Sequence, residues 1–182
     1  MNRMLRILTA SIIGGLLLGG CAGSAASPPA AQPASAEPIG PVAPAVPAPP
    51  AANGTTNTVT LVRSPTCGCC EGHEEHLTAA GYEVRSVLTD GYGDVKDAQG
   101  VPLEMRSCHT SLVGRYFVEG HVPAAAIEQL LRDAPDIDGI ALPGMPPGSP
   151  GMGGIAADGL TVWAIDGGEV VGEFGNFAGV GR

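Results

Sequence analysis

Along residues 58–182, apolar and polar positions fall into short blocks whose periods change repeatedly. Residues 59–62, Val-Thr-Leu-Val, read as a short buried strand. Residues 71–80 read as a helix that Gly81 stops. Residues 82–88 alternate as a second strand, and residues 93–100 predict a short helix or turn that Val101-Pro102 breaks. Residues 110–114 and 116–119 form a predicted strand pair joined by a tight turn. A better-marked helix follows over 123–133, with proline in its first turn and Ile127, Leu130 and Leu131 on one face. A Gly/Pro/Met loop spans 141–154, and residues 160–174 predict a hairpin around Asp166-Gly167-Gly168.

The segment before this block has no such pattern. Residues 22–57 are almost entirely Ala, Pro, Ser and Gly and hold nine of the seventeen prolines, too little apolar side chain to build a core. They predict an extended tether. Ahead of them, Met1 to Arg6 is basic, residues 7–18 are apolar, and Leu18-Gly19-Gly20-Cys21 closes the run. That stretch is too short to span a bilayer and reads as a secretory leader. Cysteine at position 21 resembles a bacterial lipobox, which predicts cleavage after residue 20 and lipidation of Cys21; the plainer reading is a signal peptide with an incidental cysteine. The expected organisation is thus a leader (1–20), a lipidated tether (21–57) and one folded domain (58–182). The expected location is the bacterial cell envelope, lipid-anchored to the membrane and facing the periplasm.

Charge changes little in this picture. The formal net charge of −9 becomes −11 once Arg3 and Arg6 leave with the leader. Such acidity speaks against nucleic acid as a partner. Phosphate-binding glycine loops, Ser/His/Asp triads and paired-carboxylate sites have no counterpart in the sequence.

Cysteine placement does change the picture. With Cys21 assigned to lipid, four remain: Cys67, Cys69 and Cys70 in Ser64-Pro65-Thr66-Cys67-Gly68-Cys69-Cys70, and Cys108 in Ser107-Cys108-His109-Thr110. Cys67 and Cys70 form a C-x-x-C pair where a strand gives way to a helix, and a helix N-terminus favours thiolate there. The element order β-α-β-α-β-β-α with a dithiol at the first helix is that of a thioredoxin-like α/β fold, here with a C-terminal β-hairpin extension. In that fold Cys108 and His109 lie against the dithiol. Four sulfurs and an imidazole match the preferences of Cu(I), with Zn(II) as the alternative. Met145 and Met152 could cap such a site, His73 lies one helical turn from Cys70, and His121 could face the site or cap the third helix. His76 reads as packing or surface. Three assignments compete. One is a copper-binding protein. Another is a thiol–disulfide oxidoreductase with Cys67 as nucleophile and Cys70 as resolving thiol. The third is a structural zinc site of Cys67, Cys70, Cys108 and His109; purely structural disulfides also fit an exported chain.

Four motifs in order, Ser64 to Cys70, Arg106-Ser107-Cys108-His109-Thr110, Val118-Glu119-Gly120-His121-Val122-Pro123, and Gly144-Met145-Pro146 through Gly148-Ser149-Pro150-Gly151-Met152, resemble the bacterial CopG-like copper-resistance family. The resemblance covers about residues 58–175. It implies a thioredoxin-like fold, a periplasmic setting with other copper-handling proteins as partners, and copper held at the cysteine cluster with Cu(I)/Cu(II) redox activity. It also implies Cys67, Cys70 and Cys108 as core ligands, with Cys69 and His109 next. Family members usually carry tryptophan where this chain has His73, which implies a wetter wall or an added ligand.

Overall fold

The computed structural model describes residues 57–180. The leader, Cys21 and the tether up to residue 56 lie outside the described residues. Among the described residues no helix is long and apolar enough to cross a membrane.

The chain runs β1 (Thr58–Arg63), α1 (Gly68–Ala79), β2 (Glu83–Leu88), α2 (Tyr92–Ala98), a 3₁₀ turn (Leu103–Met105), β3 (His109–Val113), β4 (Tyr116–Glu119), α3 (Ala124–Asp133), β5 (Gly139–Ala141), β6 (Leu160–Asp166) and β7 (Glu169–Phe177). The strands form one mixed sheet in the order β2-β1-β3-β4-β5-β6-β7. β1 pairs in parallel with β2 and antiparallel with β3, β3 antiparallel with β4, and β4 in parallel with β5. The protein is therefore mixed α/β. The expected element order holds through α3. Beyond it, the predicted 160–174 hairpin appears as β6 and β7, and β5 joins it to the same sheet.

Alternation within the strands sorts residues to two faces. Val59, Val113, Tyr116 and Val118 face a core that also takes Leu77 of α1 and Ala126, Ile127 and Leu130 of α3. Leu112, Phe117, Ala141 and Ile165 form a second cluster on the opposite face, with Val101. The apolar stripe read for the third helix is the one buried: Ile127 and Leu130 are inaccessible and Leu131 packs at the margin.

The most consequential polar interaction lies on the second face. Glu119, fully buried, receives Lys96 Nζ from α2 at 2.6 Å, the Thr110 hydroxyl at 2.6 Å and the Ser107 backbone N–H at 2.6 Å. Lys96 is also buried and donates to Thr110 Oγ1 at 3.1 Å. A buried carboxylate is tolerated only when its lone pairs are filled in this way. Together these bonds fix the segment that carries Cys108 and His109.

Removing one partner leaves the other charge buried and unpaired. Lys96→Met should cost on the order of 3–5 kcal/mol in urea unfolding. Adding Glu119→Gln to that variant should recover a substantial part of the loss. A single variant as stable as the parent would show that the pair does not hold this segment.

Candidate metal centre

β1 delivers the chain to the cysteine turn, and Arg63 at its end organises that turn. The buried guanidinium donates to the carbonyls of Ser64 (3.3 Å) and Cys67 (3.5 Å). It also pairs with Glu71 (3.5 Å) and Glu74 (3.6 Å) on α1. Cys67 is the N-cap residue of α1 and makes no side-chain cap hydrogen bond, so Arg63 and the Ser64–Thr66 contacts shape the helix entry instead. Starting α1 at Gly68 rather than at residue 71 places Cys69 and Cys70 inside its first turn.

Cys67 and Cys70 are joined by a disulfide, their Cα atoms 5.4 Å apart. Cys69 and Cys108 are free thiols. Cys69 Sγ lies 3.4 Å from Cys67 Sγ and 3.9 Å from Cys108 Sγ, and Cys108 Sγ lies 3.5 Å from Cys70 Sγ. The four sulfurs sit within 4.8 Å of one another. The geometry thus brings Cys108 from β3's entry to the cysteine turn, as the fold order predicts.

Imidazoles close the inner side. His121 Nε2 lies 2.8 Å from Cys108 Sγ, and His109 Nδ1 lies 3.4 Å from it. Cys70, Cys108, His109 and His121 form a second group with ligand atoms within 4.8 Å of one another. His73 stands behind: its Nδ1 meets His109 Nε2 at 2.8 Å and its Nε2 meets the Val122 carbonyl at 2.9 Å. Both its nitrogens are engaged, so it reaches the sulfurs only through His109. The wall at this position is dry, since His73 is fully buried. His121 faces the site, and it is His76 Nε2 that accepts the Ala124 N–H at the start of α3, at 3.1 Å.

Burial governs the protonation of these groups. It holds His73 down at about 3, against the pull of the Val122 hydrogen bond, and the His121 and His76 rings lower it further. Burial also sets His109 well below its ordinary value, followed by the neighbouring His73 and His121 and the cations Lys96 and Arg63. His121 is lowered by burial as well. The Cys108 thiol is pushed up to about 12, first by burial and then by Cys69. The metal-free centre is therefore a neutral thiol among neutral imidazoles.

The 143–154 loop covers the outer side. Ser107 Oγ donates to the Gly144 carbonyl, and the neighbouring Met145 places its Sδ 4.0 Å from Cys69 Sγ while remaining half exposed. Pro150 accepts His121 Nδ1 at 2.6 Å. Gly151 lies directly on α1: a Cβ on Gly72 would come within 2.7 Å of the Gly151 Cα. Met152 lines a cleft of about 500 Å³ together with Cys69, Glu71, Gly72 and Glu75.

Comparison with known proteins bears on the same residues. A family model described as a protein of unknown function, DUF411, matches residues 105–152, the stretch holding Cys108, His109, His121, Met145 and Met152. No curated protein matches the chain. Two solved structures do: "Copper resistance protein copG- Form 2", at 38% identity over 66% of this chain and 97% of that one with a TM-score of 0.59, and its Form 1, at 37% identity over 69% and 100% with a TM-score of 0.60. The chain belongs to the CopG-like copper-resistance family. The sequence resemblance to that family, drawn from four motifs, is thus supported across the folded part.

Sequence reading of this CopG-like chain missed Arg63 and the Lys96–Glu119 pair. A lone charged residue in a strand carries no spacing signal. The one clue was that Arg63 and Glu119 are the only charged residues of β1 and β4 and each ends its strand.

The lowered histidines make stability depend on pH, with a definite sign. Above about pH 6.5, the unfolded value, both states are neutral and the native state has its full stability. As pH falls below 6.5 the unfolded chain takes up protons that folded His73 refuses until about pH 3, so stability declines across that window. Urea midpoints should drop between pH 7.5 and pH 4.5, and drop less in His73→Gln. Equal slopes for the two proteins would contradict this origin.

Proposed function

We propose that the protein binds copper at the Cys67–Cys69–Cys70–Cys108 cluster and sequesters it, passes it on or cycles it between oxidation states as part of copper resistance. The observation that carries the reading is the place of free Cys108 at the junction of two donor groups, the sulfurs of Cys67, Cys69 and Cys70 on one side and the His109 and His121 nitrogens on the other, with the Met145 thioether next to Cys69. Such a donor set, soft and without carboxylate, fits Cu(I) and suits oxygen-seeking cations poorly. Reduction of the Cys67–Cys70 bond adds two further thiolates within 4.8 Å. In this reading Cys67, Cys69, Cys70 and Cys108 bind the ion as cargo, His109 and His121 close the inner side, and Met145 guards the outer one. His73, with both nitrogens engaged, stands outside the donor set, and Met152 lines the cleft beside Cys69. Zn(II) in the Cys67, Cys70, Cys108 and His109 set is the alternative ion.

The pairing of β1 to β4, with β2 parallel to β1 and the cysteine turn at the start of α1, supports a thioredoxin-like core extended by β5–β7. Its disulfide favours a second reading. Cys67 is partly exposed and Cys70 buried, the arrangement of an attacking and a resolving thiol in thiol–disulfide exchange. The leader and Cys21 support a lipid-anchored protein facing the periplasm, among other copper-handling proteins of that compartment.

Anaerobic titration of the reduced protein with Cu(I) against a competing chelator, with metal analysis, tests the main reading. Retained copper is expected, with at least tenfold weaker binding or lower stoichiometry in Cys108→Ser. Failure to retain copper, alongside rapid disulfide exchange with a model thiol, would replace it by the oxidoreductase reading. An unaffected Cys108→Ser would remove Cys108 from the site.

A further inference from the structure

Three imidazoles occupy the buried side of the centre, and two of them, His73 and His121, have a partner whose chemistry is unambiguous. The carbonyl of Val122 can only accept, so His73 carries its proton on Nε2. Pro150 likewise offers only a carbonyl, so His121 carries its proton on Nδ1. The partners of the three rings among the described residues are backbone carbonyls, the Cys108 sulfur and one another. With His73 neutral and protonated on Nε2, its Nδ1 is a lone pair, and the 2.8 Å contact requires His109 to donate from Nε2. His109 Nδ1 is then bare. It points at Cys108 Sγ from 3.4 Å, while the bare Nε2 of His121 points at the same sulfur from 2.8 Å.

The geometry points to His73 as a positioning residue that sets the tautomer of His109, so that two different ring nitrogens, Nδ1 of His109 and Nε2 of His121, are presented as lone pairs around Cys108 before any ion arrives. The chain of bonds is Val122 carbonyl, His73, His109, Cys108. It runs from the turn ahead of α3, through α1, to β3, and its first two links each permit one proton arrangement. Donors prepared in this way bind an ion without expelling a ring proton, and the only proton displaced is that of the thiol. The consequence for copper rests on the function proposed above. The tautomers do not, because they belong to the metal-free protein.

The same logic separates substitutions at position 73. Glutamine can accept from His109 Nε2–H through Oε1 and donate to Val122 through Nε2. Phenylalanine fills the space and can do neither. A buried His109 Nε2–H without an acceptor favours the other tautomer, which puts a proton on the nitrogen facing Cys108.

Long-range ¹H–¹⁵N correlation spectra of the metal-free, ¹⁵N-labelled protein read the tautomers directly. Expected are Nε2–H for His73 and His109 and Nδ1–H for His121. Nδ1–H at His109 in the unaltered protein overturns the proposal, and this measurement decides it even where a variant fails to fold. In His73→Phe the His109 signal should move toward Nδ1–H and Cu(I) binding should weaken about tenfold, with both restored in His73→Gln. A folded His73→Phe that keeps the His109 tautomer also overturns it. If the tautomers are as stated but the parent protein retains no copper, the function reading fails and this one stands.

Discussion

The carboxylate of Glu119 is the constraint on which the centre depends. It is buried on the face of the sheet away from α1 and α3, yet it binds the backbone of Ser107 and the hydroxyl of Thr110, either side of Cys108 and His109. An ionised carboxylate in that position requires every available donor, and Lys96 completes the set. The strand entry is therefore held from one face while its sulfur and imidazole work on the other. Ser107 carries the restraint outward, since its hydroxyl binds Gly144 beside Met145. One buried ion pair thus positions the adjacent Cys108 thiol and His109 imidazole and, through Ser107, a thioether distant in sequence.

The inner and outer sides of the centre are built on different principles. Inside, a closed layer of histidines uses carbonyl acceptors at Val122 and Pro150, and burial keeps the rings neutral. Outside, glycines allow a loop to lie on the first turns of α1, and Met145 remains half exposed. The rigid side determines which atoms face Cys108. The open side, with Cys69 and Met145, is where an ion or a partner thiol would enter. A disulfide between Cys67 and Cys70 lies at the boundary, so the number of free thiols depends on redox state.

Much of this was legible in the chain, for identifiable reasons. The order of elements through α3 followed from strand and helix periods. Cys108 and His109 were placed opposite the cysteine turn because topology brings the start of the third strand there. The three residues of β5 were too few to show a period, and the last of them, Ala141, opens the stretch read as a Gly/Pro/Met loop. His73 was placed on the correct helical face, but no spacing rule distinguishes a ligand from a ring that binds the ligand. Of the two roles open to His121, facing the site is the one it takes, and His76, read as packing or surface, accepts the first N–H of α3, because which of two nearby histidines meets that helix depends on the path of the chain after Gly120. Arg63 and Lys96 became visible only when their distant carboxylates were brought to them.

The central claim is that residues from the cysteine turn and from the entry to β3 bind one copper ion or cluster together. X-ray absorption at the copper edge of the Cu(I)-loaded, reduced protein tests it most directly. The account predicts a first shell dominated by sulfur with additional imidazole scattering, the sulfur component diminished in Cys108→Ser and the imidazole component in His121→Ala. A shell of oxygen and nitrogen alone, unchanged by either substitution, would contradict it.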